Sequence, residues 1–364
     1  MEPLIRSSSQ HVSSSSLSTP SPTLTTLTIL NIVITLTSTV FFYKELHALS
    51  SAPRFSNTMN TMFSVAIPLP FLLLHNTHNI STPKIHILFL LAVFNSAQNV
   101  LQHAGIDGIN SGAYCVLLNQ SVVPLTMIFS YILFHTKYTT YHILGAITVV
   151  LGVIVSNASS SHPRSLKYTL VFLAGCLPQT ALNLLVERTK KTTSLILDVI
   201  FLLVIMNLMS LPLNLIFDFI VDGFVASPTL NDHRDGFRCL FHGTTTDDDD
   251  DDECNRAYVY AMVYAPLGVM FCISNFVLVR SVSSTYYFVV VAFILPVQNL
   301  LLSWDWLMGS SVVGEISNIS NLCGMLIVTL GLFLYVRGMI VQSGGVDDDK
   351  LHIRNNDDSG DEAT

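Results

Sequence analysis

Residues 114–157 read YCVLLNQSVVPLTMIFSYILF, HTKYTT and YHILGAITVVLGVIVSN, two apolar runs joined by a short polar link. Each run holds about 20 residues, the length a helix needs to cross a hydrocarbon layer roughly 30 Å thick. The link allows only a tight turn, so the pair is predicted to be two antiparallel membrane helices. The design returns later in the chain. Tyr114 stands ten residues before Pro124, and Tyr286 stands ten before Pro296. Gly145 and Gly152 are seven apart, as are Gly324 and Gly331. The offset is 172 residues for the first pattern and 179 for the second, so the later copy carries seven extra residues between its helices. A helix pair used twice predicts internal duplication, a plan common among secondary transporters.

Composition agrees with a membrane setting. Apolar residues make up 50% of the 364 and charged residues only 12%, with a mean hydropathy of +0.54. So few charges cannot clothe a water-facing surface, whereas a helical bundle in lipid needs few. The net charge of −8 comes mostly from two places, Asp247 to Glu253 and the tail from Asp347 to Glu362. It therefore gives no indication of nucleic acid as a partner. The first 23 residues are Ser-rich with little charge, which fits a flexible tail or a plastid transit peptide.

Ten apolar spans follow, near 24–43, 56–74, 85–105, 112–134, 139–157, 166–187, 195–220, 257–279, 284–307 and 319–341. The predicted fold is an all-α polytopic membrane protein, ten transmembrane helices in a five-plus-five inverted repeat. The first repeat would cover 24–160 and the second 161–341, before an acidic tail at 342–364. With both termini in the cytosol, ten Lys and Arg fall in cytosolic segments and four in the opposite short loops. That bias is the expected one for cytosolic loops. Five is odd, so the two halves must point in opposite directions. The long segment 221–256 then lies outside the cytosol, where disulfides form. Its two cysteines, Cys239 and Cys254, are a disulfide candidate; the alternative is two free thiols in a loop without fixed structure. The Asp run between them reads as a solvated spacer, or as a rim that attracts cations.

Polar side chains inside the spans need a partner or a water-filled cavity. Asn95, Gln98, Asn99 and Gln102 follow i, i+3, i+4, i+7 spacing, which puts four amides on one helix face. They either line a polar cavity or tie helices together. His103 borders the stripe. Gln179, Asn183 and Glu187 step by four along the sixth span. Glu187 reads as a proton carrier or as a surface ion-pair partner of the nearby Arg188, Lys190 and Lys191. Asn119 and Gln120 precede Pro124, a mid-span proline that frees a backbone carbonyl and provides a bend. Pro296 has the same place in the second copy, followed by Gln298 and Asn299. Asn31, Thr35 and Asn275 are further contributors. Asp198 and Asp218 lie near span ends, where water is expected to reach them. The span interiors contain no Lys or Arg. HExxH, GxSxG, GxxxxGK[ST] and CxxC are all absent from the sequence, so no catalytic centre, metal site or cofactor is expected.

VLLNQSVVPLTMIFSYILFHTKYTTYHILGAITVVLGVIVS resembles the fourth and fifth helices of the chloroquine-resistance-transporter-like proteins, through Asn119, Gln120, Pro124, Tyr138, Leu144, Gly145 and Ala146. LVERTKKTTSLILDVIFLLVIMNLMSLPLNLI is similar to the family's sixth-to-seventh helix passage, with Glu187 at its acidic position. SSTYYFVVVAFILPVQNLLL and GLFLYVRG resemble its ninth and tenth helices. The long cysteine-bearing segment before the eighth helix is also shared. Two departures stand out: two cysteines there instead of four, and Asn-Gln where Gln-Gln is usual. The resemblance implies the drug/metabolite transporter superfamily. It also implies a solute exporter of an acidic vacuole or a plastid envelope that moves amino acids, peptides, glutathione-type thiols or cationic drugs, with protons as the coupling ion. Asn95, Gln98, Asn99, Gln102, Asn119, Gln120, Gln179 and Asn183 are the candidate solute contacts, Glu187 and His103 the candidate proton carriers, and Pro124 and Pro296 the candidate hinges. Two other readings remain open. One is a nucleotide-sugar transporter of the same superfamily, and the other is a membrane scaffold or receptor that moves nothing.

Overall fold

A computed structural model of the chain describes residues 22–48, 53–74, 84–107, 109, 112–135, 138–158, 166–188, 195–225, 229–242, 251–281 and 322–338, with isolated positions between 287 and 301. Every regular element among these residues is a helix. In chain order they are α1 (Pro22–Ala48), α2 (Pro53–Ala66), α3 (Leu69–Leu74), α4 (Ile85–Asp107), α5 (Gly112–Asn119), α6 (Val122–Phe134), α7 (Thr140–Ala158), α8 (Leu166–Arg188), α9 (Leu195–Val225), α10 (Thr229–His242), α11 (Asp251–Ser281) and α12 (Leu322–Gly338).

Seven stretches are long and apolar enough to cross a membrane: Thr25–Glu45, Arg54–Leu74, Ile85–Ile106, Tyr114–Leu133, Leu166–Glu187, Leu197–Val221 and Ala257–Val279. Two shorter apolar helices, Thr140–Ser156 and Leu322–Gly338, coincide with the fifth and tenth expected spans. Most of the ninth, including Pro296, lies outside the described residues. The protein is a multi-pass membrane protein. Its outer surface carries large apolar side chains, with Leu74 87% exposed and Leu73 78% exposed, as lipid contact requires.

The fourth expected span is broken, and Pro124 explains where. Proline has no N–H to offer the carbonyl four residues earlier, that of Gln120. That carbonyl accepts from Val123 N instead, at 3.0 Å, while Gln120 N and Ser121 N donate to Leu117 O and Leu118 O at 3.0 Å each. The chain tightens by one turn, and α5 ends with Asn119 and Gln120 at the break. The link to α7 is short because His135 takes a left-handed conformation (φ 52°) and donates its N–H to Tyr131 O.

The core forms around α4, which packs against α8 and α9. Leu91 and Ala92 of α4 are buried with Leu182 and Val186 of α8 and with Val199, Leu202 and Leu203 of α9. A second cluster joins Tyr114, Leu117 and Leu118 of α5 to Val149 and Val153 of α7, Phe172 of α8, and Val328 and Leu332 of α12. The glycines of the repeated pattern meet one another in that cluster. A β-carbon on Gly145 would stand 2.6 Å from Gly331 O, and one on Gly152 would stand 2.8 Å from Gly324 O. The lower-numbered glycine of α7 faces the higher-numbered glycine of α12, so the two helices run antiparallel with their backbones in contact.

Three sequence expectations change. Segment 221–256 is not a plain loop: α10 forms within it, and α11 already begins at Asp251. The amphipathic α10 folds back onto α2 and α11 and buries Cys239 and Leu240 with Met59, Ala257 and Ala261. Asp198 and Asp218 do not reach water at the span ends; they are 3% and 0% exposed. Asp198 occupies the first turn of α9, where the helix dipole favours an acid, and α10 covers Asp218 with His233 at 4.0 Å. Arg54, one of the four cations assigned by sequence to the short non-cytosolic loops (with Lys44, Arg164 and Lys167), is buried in the first turn of α2.

Burial, followed by the nearby positive charge of Arg54, holds the His233 imidazole below its ordinary value. The unfolded chain therefore takes up this proton first as pH falls. The contribution of His233 to thermal stability is expected to be constant above about pH 6.5, to fall as pH drops from there toward the lowered folded value, and then to level off. His233→Gln should remove that contribution, read as the difference in unfolding temperature between variant and wild type across this window.

Candidate functional site

The amide stripe of α4 opens onto a cavity of about 360 Å³ in the middle of the bundle. All eight candidate contacts line it: Asn95, Gln98, Asn99 and Gln102 from α4, Asn119 and Gln120 at the break after α5, and Gln179 and Asn183 from α8. The break supplies its pair because the chain turns there, not because a continuous helix would face inward. Thr35, Asn275 and Gln298 also line the cavity, whereas Asn31 is buried behind it. Asn31 Nδ2 donates to Asn275 Oδ1 at 2.8 Å and to Ser274 Oγ at 3.1 Å, which joins α1 to α11.

The two roles open to the stripe are divided along its length. Asn95 serves as helix glue, donating from Nδ2 to Asn207 Oδ1 and Ser210 Oγ of α9, both at 3.2 Å. Beside it, Ser96 donates to Ser210 O and Asn214 Oδ1, and Asn214 donates on to Thr61 Oγ1 of α2 at 3.1 Å. At the other end Gln102 Nε2 donates to Gln179 Oε1 at 2.8 Å and reaches Asn119 Oδ1 at 3.5 Å. Gly175 permits this approach, since a β-carbon there would stand 2.9 Å from Gln102 Cγ. Between these anchored ends, Gln98 Oε1 is buried and has no hydrogen-bond partner among the described residues.

Four other wall atoms share that condition: Thr35 Oγ1, Asn57 Nδ2, Asn60 Oδ1 and His103 Nε2. His103 Nδ1 donates to the Asn99 carbonyl at 2.8 Å, and its ring meets Phe42 edge-on at 6.0 Å between centroids. Buried polar atoms in native proteins are nearly always satisfied. Five of them around one void therefore mark it as a place for polar guests, water or solute. No Asp, Glu, Lys or Arg among the described residues lines the cavity. Arg54 is buried elsewhere, and Glu187 is half-buried in the last turn of α8, away from the wall.

Sequence reasoning passed over one wall. Asn57, Asn60, Thr61 and Ser64 of α2 line the cavity with the spacing of the α4 stripe. That periodicity was available to find them. Asn207 and the aromatic side chains of Tyr43, Tyr264 and Tyr287 had no such pattern. Cys239 is disulfide-bonded. Its expected partner Cys254 has a described backbone in α11, but its side chain lies outside the described residues.

Known proteins resemble this chain in sequence or in fold. Crt homolog 3 of Dictyostelium discoideum is 26% identical over 306 residues, 75% of this chain and 62% of that protein. The chloroquine resistance transporter of Toxoplasma gondii is 24% identical over 265 residues, 64% of this chain and 28% of that protein. The chain thus spans less than two thirds of the length of these relatives. One solved crystal structure shares the fold, with a TM-score of 0.57 at 10% identity, over 88% of this chain and 98% of its own. The family profile runs from residue 24 to residue 335, through every helix that builds the cavity. The chain belongs to the chloroquine-resistance transporter-like family of membrane transporters.

Proposed function

We propose that the chain is a secondary transporter that carries a small organic solute through the central cavity by alternating access. The observation that carries this reading is the set of five unpartnered polar atoms around an amide-lined void that no charged side chain lines among the described residues. The solute classes in view are amino acids, short peptides, glutathione-type thiols and cationic drugs, with protons as the coupling ion. The organelle is a vacuole-type membrane, with both termini on the cytosolic side. Asn95, Gln98, Asn99, Gln102, Asn119, Gln120, Gln179 and Asn183 contact the solute, and Pro124 and Pro296 serve as bends. Cys239 pairs with Cys254, which staples α10 to the start of α11.

The α7–α12 seam supports the five-plus-five inverted repeat. Exchanging the halves carries Gly145 to Gly324 and Gly331 to Gly152, so the contact Gly145–Gly331 becomes Gly324–Gly152, which is also present. A contact that maps onto itself in this way is what a two-fold axis in the membrane plane produces. A nucleotide sugar would require cations for its phosphates, and none lines the cavity among the described residues. A scaffold has no use for unsatisfied buried amides.

The test is solute flux into proteoliposomes under an imposed pH gradient, with an amino acid, a short peptide, glutathione, a cationic drug and a nucleotide sugar. Saturable uptake of one of the first four, driven by the gradient, is the expected result. No flux with any of them, from protein shown to be folded and inserted, overturns the reading.

A further inference from the structure

Glu45 ends the first spanning stretch and is 0% exposed. Its Oε1 accepts from Ser56 Oγ at 2.8 Å and from Asn60 Nδ2 at 3.4 Å, and Asn60 Nδ2 also reaches Ser56 Oγ at 3.3 Å. Its Oε2 is buried with no hydrogen-bond partner among the described residues. Both groups bonded to the carboxyl are neutral. A carboxylate shut away from water without a cation bonded to it is costly, whereas the same group with a proton on Oε2 carries no charge.

The position matters as much as the burial. Asn60 lines the cavity and has its own Oδ1 unpartnered there, so one side chain separates Glu45 from the void. Tyr264 of α11, another wall residue, is within electrostatic range of Glu45. Other charged and titratable groups among the described residues lie around this end of the bundle. Lys44 on the same helix lies over the Tyr260 ring at 5.7 Å, Arg54 opens α2, and His233 of α10 lies near Arg54. The two carriers suggested by sequence sit differently, Glu187 off the cavity and His103 on its wall.

We propose that Glu45 is the proton-carrying group of the transport cycle. Cavity water delivers a proton to Oε2 when the site faces the side of lower pH; the O–H bond forms there, and the carboxyl becomes neutral. When the site faces the other side, Asn60 turns aside, the O–H bond breaks and the proton returns to cavity water. The hydrogen bonds of Oε1 tie the end of α1 to α2, so gain or loss of the proton acts directly on that junction. The assignment rests on the transport reading of the cavity.

The first probe is the proton itself. Infrared pH-difference spectra of the lipid-reconstituted full chain should show the carbonyl stretch of a protonated carboxyl. This band should be absent in Glu45→Gln and shifted in Glu45→Asp, a variant that keeps the acid should the amide fail to fold. In the flux assay, Glu45→Gln should lose at least about tenfold of gradient-driven accumulation, and its residual flux should no longer change with pH. Absence of wild-type flux overturns the transport reading. An unchanged band, or unchanged pH dependence in a folded variant, overturns the Glu45 assignment alone.

Discussion

Gln98→Leu is expected to abolish solute uptake while leaving the protein folded and inserted. Gln98 sits at the centre of the α4 stripe, and its Oε1 is bonded to nothing among the described residues. Leucine is close to glutamine in size and favours the same helical backbone, so the bundle loses neither packing nor an internal tie. What it loses is a hydrogen bond to whatever occupies the cavity. A buried polar partner is worth about 1–3 kcal/mol, which converts to roughly 5- to 160-fold in uptake efficiency. Asn95→Leu makes the opposite comparison. It removes the bonds to Asn207 and Ser210, and should lower the unfolding temperature as well as the flux. Uptake kinetics and thermal unfolding on the same two preparations separate these outcomes. Normal transport by folded Gln98→Leu removes that residue from the site.

Gly152→Leu is expected to destabilise the protein more than any surface change. A β-carbon there would stand 2.6 Å from Val328 Cγ2 and 2.8 Å from both Gly324 O and Val328 N. Two of these three are backbone atoms, which cannot rotate away. The α7–α12 seam must open, at a cost of about 1–3 kcal/mol or more. Gly268→Ala is the control, since its β-carbon meets nothing nearer than the Tyr264 ring at 3.3 Å. It should unfold within a few degrees of the wild type, in part because alanine gains about 1 kcal/mol of helix propensity over glycine. Gly145→Ala and Gly331→Ala touch the same contact, so once the first has spread the seam the second should cost less. Thermal unfolding of the singles and the double reads that coupling directly.

The spans and the α4 wall were legible because both rest on period. Apolar length identifies a helix in lipid, and amides at i, i+3, i+4 and i+7 identify a face. The α2 wall has the same spacing in Asn57, Asn60, Thr61 and Ser64, but hydroxyls can be satisfied within their own helix, as Thr61 Oγ1 is by Asn57 O at 2.9 Å, so the pattern is a weaker sign of a cavity. Glu45, Arg54, Asp198 and Asp218 were out of reach for a different reason. Their place near helix ends suggests access to water, and only the packing of α10 and the α1–α2 junction shows that they are buried. Pro124 predicts a bend from sequence alone, and the structure adds its consequence. Handing the Gln120 carbonyl to Val123 ends α5 early and leaves Asn119 and Gln120 at that end, on the cavity wall.

Alternating access requires one cavity that opens to each side of the membrane in turn. Its most direct measurement is two-sided accessibility of Gln98→Cys, in a background with Cys115, Cys176, Cys272 and Cys323 replaced by alanine. A membrane-impermeant thiol reagent is applied to either face of sealed vesicles. The account expects labelling from both faces, with an imposed pH gradient favouring one face over the other. Labelling from one face only, whatever the gradient, would contradict it.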